Sequence, residues 1–301
     1  MKSTWIAINA ITAVAALLVT QAHSADPEIA TPRPVNPLHG RQAGEVRDHD
    51  GLKMKLVWCP PGKFKMGSPK SEKERSDDED QVDVTLTKGF WLGKYEVTEA
   101  EWKQVMDTEP WKGERLAKDG ADFPATFVSW NDAVDFCRKM TEQERQAGRL
   151  TDEWEYTLPT AAQWERACRA GTKSRFSFGD DESQLRDYAW FLDSTFNGGD
   201  KHAHRVGQKR PNHWGLCDMH GNVWEWCRDV SGVKLPGGND PEAKPDERTL
   251  VFYEIRELSR VIRGGGWNFG TAYCRSATRL RDPPWHRDPF IGFRVALTTV
   301  R

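Results

Sequence analysis

GNVWEW, residues 221–226, is the stretch that decides the fold. Two arginine-containing stretches follow it, RGGGW at 263–267 and RSATR at 275–279, and GFRV occupies residues 292–295. The chain also has 14 tryptophans and 25 glycines. Tryptophan fills large, irregular volumes, and glycine permits backbone conformations with positive φ. This composition predicts a fold held together by aromatic packing among long, ordered loops.

A further motif, TLPTAAQWE, lies upstream at residues 157–165. In this order, the motifs resemble those of the formylglycine-generating-enzyme family, also called sulfatase-modifying factors. The resemblance covers about Gly51 to Arg301. It implies the α+β class: a single irregular formylglycine-generating-enzyme/C-type-lectin-like domain, rich in loops, with short strands and two or three helices.

The N-terminus has the features of a secretory signal peptide over residues 1–24. Lys2 precedes an apolar run at residues 5–19, and small residues flank His23. The run is shorter than the about 20 residues of a membrane-spanning helix. We therefore expect cleavage after Ser24, an exported protein (periplasmic or secreted), and no membrane span after cleavage. Residues 25–50 are predicted to be a disordered lead-in, and residues 51–301 the domain.

Local patterns predict the first half of the domain in some detail. Alternating apolar and polar residues predict strands at residues 53–58, 63–66, 82–86 and 90–97. Capping boxes predict three helices, which begin after Thr98, Ser129 and Thr160. Gly171 is the predicted end of the third helix. Beyond Gly171 the regular patterns fade.

The net charge limits the classes of partner, and the number of cysteines indicates whether disulfides are expected. The formal net charge is −2 and no basic block stands out, so nucleic acid is not an expected partner. Six cysteines in an exported protein favour disulfides. Cys227 is the preferred partner of Cys274, and Cys137 and Cys168, on consecutive predicted helices, form the second candidate pair.

The segment from Asp218 to Glu225 offers two carboxylates around a glycine, and calcium binds about six to eight oxygen ligands of this kind. The resemblance implies a calcium site here, formed by Asp218, the carbonyls of Gly221 and Val223, and Glu225. The alternative is that both carboxylates only accept backbone amides of a tight turn. A second calcium site of the family is not expected, because Trp190 and Phe191 follow Ala189 where the family has an asparagine.

The resemblance also implies a catalytic centre, at which two cysteines hold copper and oxidise a cysteine of a sulfatase to formylglycine. Only Cys274 is present in this segment. Counted forward from Gly264, Phe269 falls at the first copper position and Cys274 at the second. Counted back from Gly292, Cys274 falls beyond both. Cys274 is thus the one catalytic candidate, and bound copper is not expected, because Cu(I) prefers a set of soft thiolates.

Histidines offer another route to a redox metal. His202 and His204 lie on one face if their segment is extended, and His213, His220 and His286 are scattered. Loop histidines are more often solvated than metal-bound, so this alternative is disfavoured.

Arginines and tryptophans crowd the last part of the chain. Arginine forms bidentate hydrogen bonds with carboxylates and sulfates. We interpret Arg279 and Arg294 as structural, tying loops to acids such as Glu225 and Asp229. A possible substrate groove comprises Trp224, Trp267, Arg281, Trp285 and Arg287.

Three functions remain open. The first is binding of an extended peptide, a sulfatase or an anionic glycan without copper chemistry. The second is formylglycine-generating oxidation with altered ligands. The third is a calcium-stabilised structural or scaffold domain.

Overall fold

The structure is a computed structural model that describes residues 1, 38–48, 51–52, 54–195, 197, 199–232, 234–245 and 258–300. The predicted signal peptide, apart from Met1, and residues 25–37 of the predicted lead-in lie outside the described residues. Within the described ranges, no helix has the length and apolar character of a membrane span. The helices are α1 (Glu99–Met106), α2 (Trp130–Gln146), α3 (Ala161–Arg169) and α4 (Leu185–Tyr188).

The strands are short, and all four predicted strands are present, with bounds that differ by a few residues in three of them. Residues 82–86 form a strand with the predicted bounds, whereas the strand that begins at Phe90 ends at Gly93 instead of residue 97. The strands are β1 (Val46–Asp48), β2 (Lys55–Cys59), β3 (Gly62–Met66), β4 (Val82–Leu86), β5 (Phe90–Gly93), β6 (Trp154–Thr157), β7 (Trp224–Val230), β8 (Gly238–Asn239), β9 (Arg260–Arg263), β10 (Arg279–Asp282), β11 (Ile291–Gly292) and β12 (Ala296–Thr299).

All three predicted capping boxes form. The side chains of Thr98, Ser129 and Thr160 each accept a hydrogen bond from a backbone amide of the first turn, and the reciprocal bond is present. Such a box satisfies two otherwise unpaired amides. Helix α3 ends earlier than predicted, because Ala170 already adopts a left-handed conformation with φ of 46°.

The strands form three sheets. The orders are β1-β2-β5-β12-β6, β10-β9-β7-β11 and β3-β4-β8. Strand β1 pairs with β2, Val46 lying opposite Val57, and the Trp91 indole donates to the Leu38 carbonyl at 2.7 Å. The folded part therefore includes residues 38–48, which the sequence assigned to the disordered lead-in.

The five-stranded sheet has an apolar cluster on each face. Along β2, Leu56 and Trp58 pack in the cluster that contains Phe136 of α2. Val57 and Cys59 pack in the other cluster, with Trp164 of α3. Because successive side chains of a strand point to opposite faces, the sheet lies between α2 and α3.

The two predicted disulfides are wrong: all six cysteines are free and buried. Cys137 lies in the α2 cluster and Cys168 in the α3 cluster, on opposite faces of the sheet. Cys227 lies in the α3 cluster, whereas Cys274 packs with Phe176 in a third cluster. Sequence order did not reveal which face each thiol occupies.

Candidate functional site

Two loops meet at one end of the β7–β9 pair. One, residues 218–223, leads into β7, and the other, residues 264–274, follows β9. The strands are antiparallel, with Glu225 opposite Arg263, so both loops lie at the same end. The Trp267 amide donates to the Asn222 carbonyl at 2.8 Å and joins them. We call them the acidic loop (218–223) and the aromatic loop (264–274).

Backbone contacts fix the acidic loop. Asp218 and Asn222 have positive φ values of 59° and 67°. The Asn222 amide donates to the Trp190 carbonyl at 2.7 Å. At Gly221 an added Cβ would lie 2.2 Å from the same carbonyl, so this close approach requires glycine. The segment that the family resemblance assigns to calcium is therefore held in one conformation.

Glu225, at the start of β7, is fully buried and paired with Arg294. The guanidinium donates to both carboxylate oxygens, each at 2.6 Å, and the Trp164 indole donates to Oε2 at 2.7 Å. This confirms the prediction that Arg294 ties a loop to Glu225. A carboxylate has about four lone-pair positions, so one position on Oε1 is left for a further partner.

Asp218 and Glu96 present buried carboxylate oxygens that have no hydrogen-bond partner in the described part of the chain. Asp218 Oδ2 accepts from the Gly207 amide at 2.7 Å, but Oδ1 has no partner, and neither has either oxygen of Glu96. Both side chains are 1% exposed. Burial, and then the proximity of Asp218, raises the pKa of Glu96. Burial raises the pKa of Asp218 to about 6.

Unpaired buried carboxylates are costly unless a cation neutralises them. In the described residues the ligand atoms of Asp218, Glu96 and Glu225 do not all lie within 4.8 Å of one another, so a calcium ion would have to draw these side chains together. The effect of Asp218 on the pKa of Glu96 adds Glu96 to the candidate ligands that the resemblance implies. Sequence reasoning missed Glu96. Its one local signal is a charged residue between the apolar positions Tyr95 and Val97.

Rings fill the aromatic loop. The Phe269 ring lies 5.4 Å from Trp224 and 5.3 Å from Tyr273, edge to face in both pairs. Cys274 is fully buried, its Sγ lies 3.8 Å from the Gly270 carbonyl, and burial raises the pKa of the thiol. In the forward alignment, the first copper position is thus occupied by the packed ring of Phe269, and the second by the protonated, inaccessible sulfur of Cys274.

His204 and His220 are engaged in other contacts. His204 stacks on Trp190 at 3.8 Å, and burial lowers the pKa of this histidine. His220 is buried between Ser177 Oγ and the Cys274 carbonyl, at 2.8 Å from each, and burial lowers its pKa to about 4. His202 and His204 have ring centroids 5.4 Å apart, but the described residues place no third ligand with them that completes a metal cluster.

The model of the "Sulfatase-modifying factor enzyme 1-like domain" matches residues 44–299 of the chain. This protein belongs to the sulfatase-modifying-factor family. The chain is 29% identical, over 66% of its length and 65% of the relative's, to a formylglycine-generating enzyme of Thermomonospora curvata. It is 28% identical, over 67% of its length and 76% of the relative's, to "Chaperone protein LppX" of Paenibacillus barcinonensis.

Another relative in this family, from mouse, is named "Inactive C-alpha-formylglycine-generating enzyme 2" and is 28% identical over 68% of the chain and 57% of that protein. Among solved structures, PvdO from Pseudomonas aeruginosa superposes with a TM-score of 0.70 and 27% identity, covering 86% of the chain and 100% of PvdO. These likenesses confirm the predicted fold.

The residues predicted to line a substrate groove do not share one surface of this sulfatase-modifying-factor domain. Trp224 and Trp267 are buried. Arg281 lines a groove of about 690 Å³ beside β10. Trp285 is 64% exposed on the turn after β10, and Arg287 there donates to both oxygens of Asp132 at 2.8 Å.

The groove beside β10 has an apolar base and a rim of mixed charge. The apolar contributors are Val82, Leu235, Val261 and Leu280. The charged contributors are Asp77, Asp78, Asp80, Lys234, Arg279 and Arg281.

Proposed function

We propose that this protein is a member of the sulfatase-modifying-factor family that binds an extended peptide and lacks copper-dependent oxidation of cysteine to formylglycine. One observation supports the lack of copper-dependent oxidation. In the forward alignment, the Phe269 ring packs against Trp224 at the first copper position. Copper(I) needs soft ligands, and Cys274 alone supplies one thiol, which burial keeps protonated.

The family relationship does not by itself carry the oxidation. The chain is about as similar to the mouse protein named inactive as to the Thermomonospora enzyme. The reaction must therefore be judged from the residues of the aromatic loop.

The groove beside β10 supports the proposal that the protein binds an extended peptide. Its apolar residues suit side chains of an extended chain, and its rim offers both signs of charge. Three aspartates on that rim, of which Asp78 pairs with Arg279 at 2.9 Å, disfavour an anionic glycan. A peptide or a segment of a partner protein is the occupant that this chemistry fits.

Calcium is the cofactor that we propose for the acidic loop. The family resemblance implies Asp218, the carbonyls of Gly221 and Val223, and Glu225 as ligands, and the unpartnered oxygens of Asp218 and Glu96 support a cation there. Binding would require the carboxylates of Asp218, Glu96 and Glu225 to move closer together than they lie in the described residues. When bound, the ion supplies positive charge to buried carboxylates and rigidifies the loop. We propose no catalytic step for it.

We also propose export, on the strength of the basic start and the apolar run at residues 5–19. N-terminal sequencing of the protein recovered from its host tests this. A mature N-terminus at Ala25 in a periplasmic or culture fraction supports export, and an intact Met1 in the cytoplasm contradicts it.

The oxidation is tested with a sulfatase-type Cys-x-Pro-x-Arg peptide, Cu(I) and oxygen, by peptide mass. We expect no conversion by wild type. Phe269→Cys restores the thiol pair of the forward alignment, so conversion by this variant alone supports that alignment. Conversion by wild type that is abolished in Cys274→Ser would overturn the proposal.

Peptide binding is tested by fluorescence anisotropy with the same labelled peptide and with labelled heparin. We expect binding of the peptide, weakened at least tenfold in Leu280→Asp and unchanged in Arg138→Met, a matched exposed site on α2. Heparin that binds more tightly than peptide, or peptide binding indifferent to Leu280→Asp, would contradict the assignment of the groove.

A further inference from the structure

Asp282, His286 and Asp288 form a cluster at the end of β10 that the acidic loop and the groove do not use. One potential ligand atom from each residue lies within 4.8 Å of the other two. His286 Nε2 lies 3.2 Å from Asp288 Oδ2, and Nδ1 lies 3.9 Å from Asp282 Oδ1. It is the one three-residue group of His, Cys, Asp and Glu with this geometry in the described ranges.

The backbone sets the geometry of this cluster. Asp282 ends β10, and Pro283 and Pro284 restrict the turn that follows, because proline fixes φ. The His286 amide donates to the Pro283 carbonyl at 3.0 Å, and Asp288 Oδ1 accepts the Phe290 amide at 2.7 Å.

Contacts with the start of α2 hold the turn from outside. The Asn131 amide donates to the Pro284 carbonyl at 3.3 Å, and the Phe127 amide donates to the Asp288 carbonyl at 3.0 Å. The three side chains therefore converge without needing an ion to order the segment.

The nearest arginines are engaged elsewhere. Arg260 pairs with Asp282 in the strand register, but its guanidinium lies 4.0 Å from the Trp130 ring centroid and donates to the Arg228 carbonyl. Arg287 pairs with Asp132 of α2. His286 is left as the neighbour of two carboxylates.

We propose that Asp282, His286 and Asp288 bind one divalent transition-metal ion of the zinc or manganese class. Imidazole favours such ions over calcium, and carboxylates complete a ligand set that zinc and manganese accept. Three protein ligands leave a coordination position open, as in zinc sites that bind water or substrate. The side chains are partly exposed, so an ion can enter from solvent.

This site differs from the proposed calcium site in its ligand atoms and in the metal ion that it prefers. The acidic loop offers oxygen ligands alone, which suit a hard cation. The cluster after β10 includes a nitrogen ligand. The two sites can thus be addressed by different metals and different substitutions in one protein.

The test is a titration of tag-free, chelator-treated full-length protein with Co²⁺ and Zn²⁺. Cobalt is followed by its visible absorption and zinc by calorimetry. We expect one site with a Co²⁺ spectrum that zinc displaces. His286→Ala should weaken zinc binding at least a hundredfold and Asp288→Asn at least tenfold, because each removes one of three ligands.

His213→Ala removes an exposed loop histidine and should leave both titrations unchanged. Asp218→Asn should likewise leave the Co²⁺ spectrum intact. His286→Gln, which keeps the size of the side chain, repeats the test if the alanine variant misfolds. Wild type that binds neither ion, or binding that survives both His286 variants, overturns the proposal and leaves His286 as a counter-charge to two carboxylates.

Discussion

The acidic loop and the aromatic loop lie side by side, joined by the Trp267–Asn222 hydrogen bond, yet they are stabilised by opposite means. Backbone contacts hold the first: the Asn222 amide donates to the Trp190 carbonyl, and the loop leads into the buried ion pair of Glu225 and Arg294. Ring packing holds the second, around Phe269. The difference teaches that one loop of this fold can be held by hydrogen bonds beside a buried ion pair, while its neighbour, which carries the catalytic candidate Cys274, is held by packing of aromatic rings.

The largest expected effect on stability comes from breaking the buried ion pair between Arg294 and Glu225. Arg294→Met leaves the Glu225 carboxylate buried without its ion pair, which costs about 3–5 kcal/mol of unfolding free energy. Urea denaturation measures the loss. Arg138→Met removes an exposed, solvent-screened pair with Glu142 and should lower the unfolding free energy far less. If both variants lose the same unfolding free energy, the buried ion pair contributes no more to stability than the exposed one.

Removal of calcium is expected to have the next largest effect. At free calcium of about 100 times the dissociation constant, bound ion stabilises the folded state by about 2.7 kcal/mol, or roughly 5–10 °C in melting temperature. Chelator should lower the melting temperature of wild type by this amount. Asp218→Asn and Glu96→Gln should abolish the response, whereas Phe269→Leu should keep it. A melting temperature indifferent to calcium in wild type would refute the site.

The pH dependence is a smaller effect with a definite sign. The pKa of Asp218 rises from 3.8 to about 6 on folding, so protonation favours the folded state. This contribution is fully present below about pH 4 and is lost as the pH rises through about 6. We expect calcium-free protein to lose stability between about pH 4 and 6.5, a loss that saturating calcium or Asp218→Asn reduces. Parallel pH profiles for calcium-free wild type and Asp218→Asn would contradict this.

The smallest effect concerns the aromatic loop alone. Phe269→Leu removes part of a half-buried ring and should cost about 1 kcal/mol, with no change in the dependence on calcium or on pH between about 4 and 6.5. Thermal unfolding of this variant, with and without calcium, checks both points. A coupling between Phe269→Leu and calcium larger than about 0.5 kcal/mol would show that the loops are not independent.

Sequence reasoning succeeded where the cause is local. The capping boxes at Thr98, Ser129 and Thr160 involve atoms within one helical turn, so the residues alone predict them. The motifs also sufficed for the fold, which the family match and the superposition on PvdO confirm.

The same reasoning failed where the cause is long-range. Glu96 lies near enough to Asp218 for the second carboxyl to raise its pKa, because the segment after β5 and the acidic loop are brought together in space. No local sequence pattern indicates that proximity. The thiols of Cys227 and Cys274 were expected to meet, but they point into different apolar clusters. The apolar cluster that a side chain joins depends on how distant strands and loops pair, and a single sequence does not show that pairing.

Strand β12 has a consequence for how the chain folds. Ala296 lies opposite both Leu92 of β5 and Thr157 of β6, so the last strand of the domain fills the interior of the five-stranded sheet. Until residues 296–299 leave the ribosome, β5 and β6 expose unpaired edges. Contacts this far apart along a chain slow folding, and open edges invite pairing with other chains. We therefore expect a chain that lacks residues 296–299 to be prone to pairing with other chains through the edges of β5 and β6.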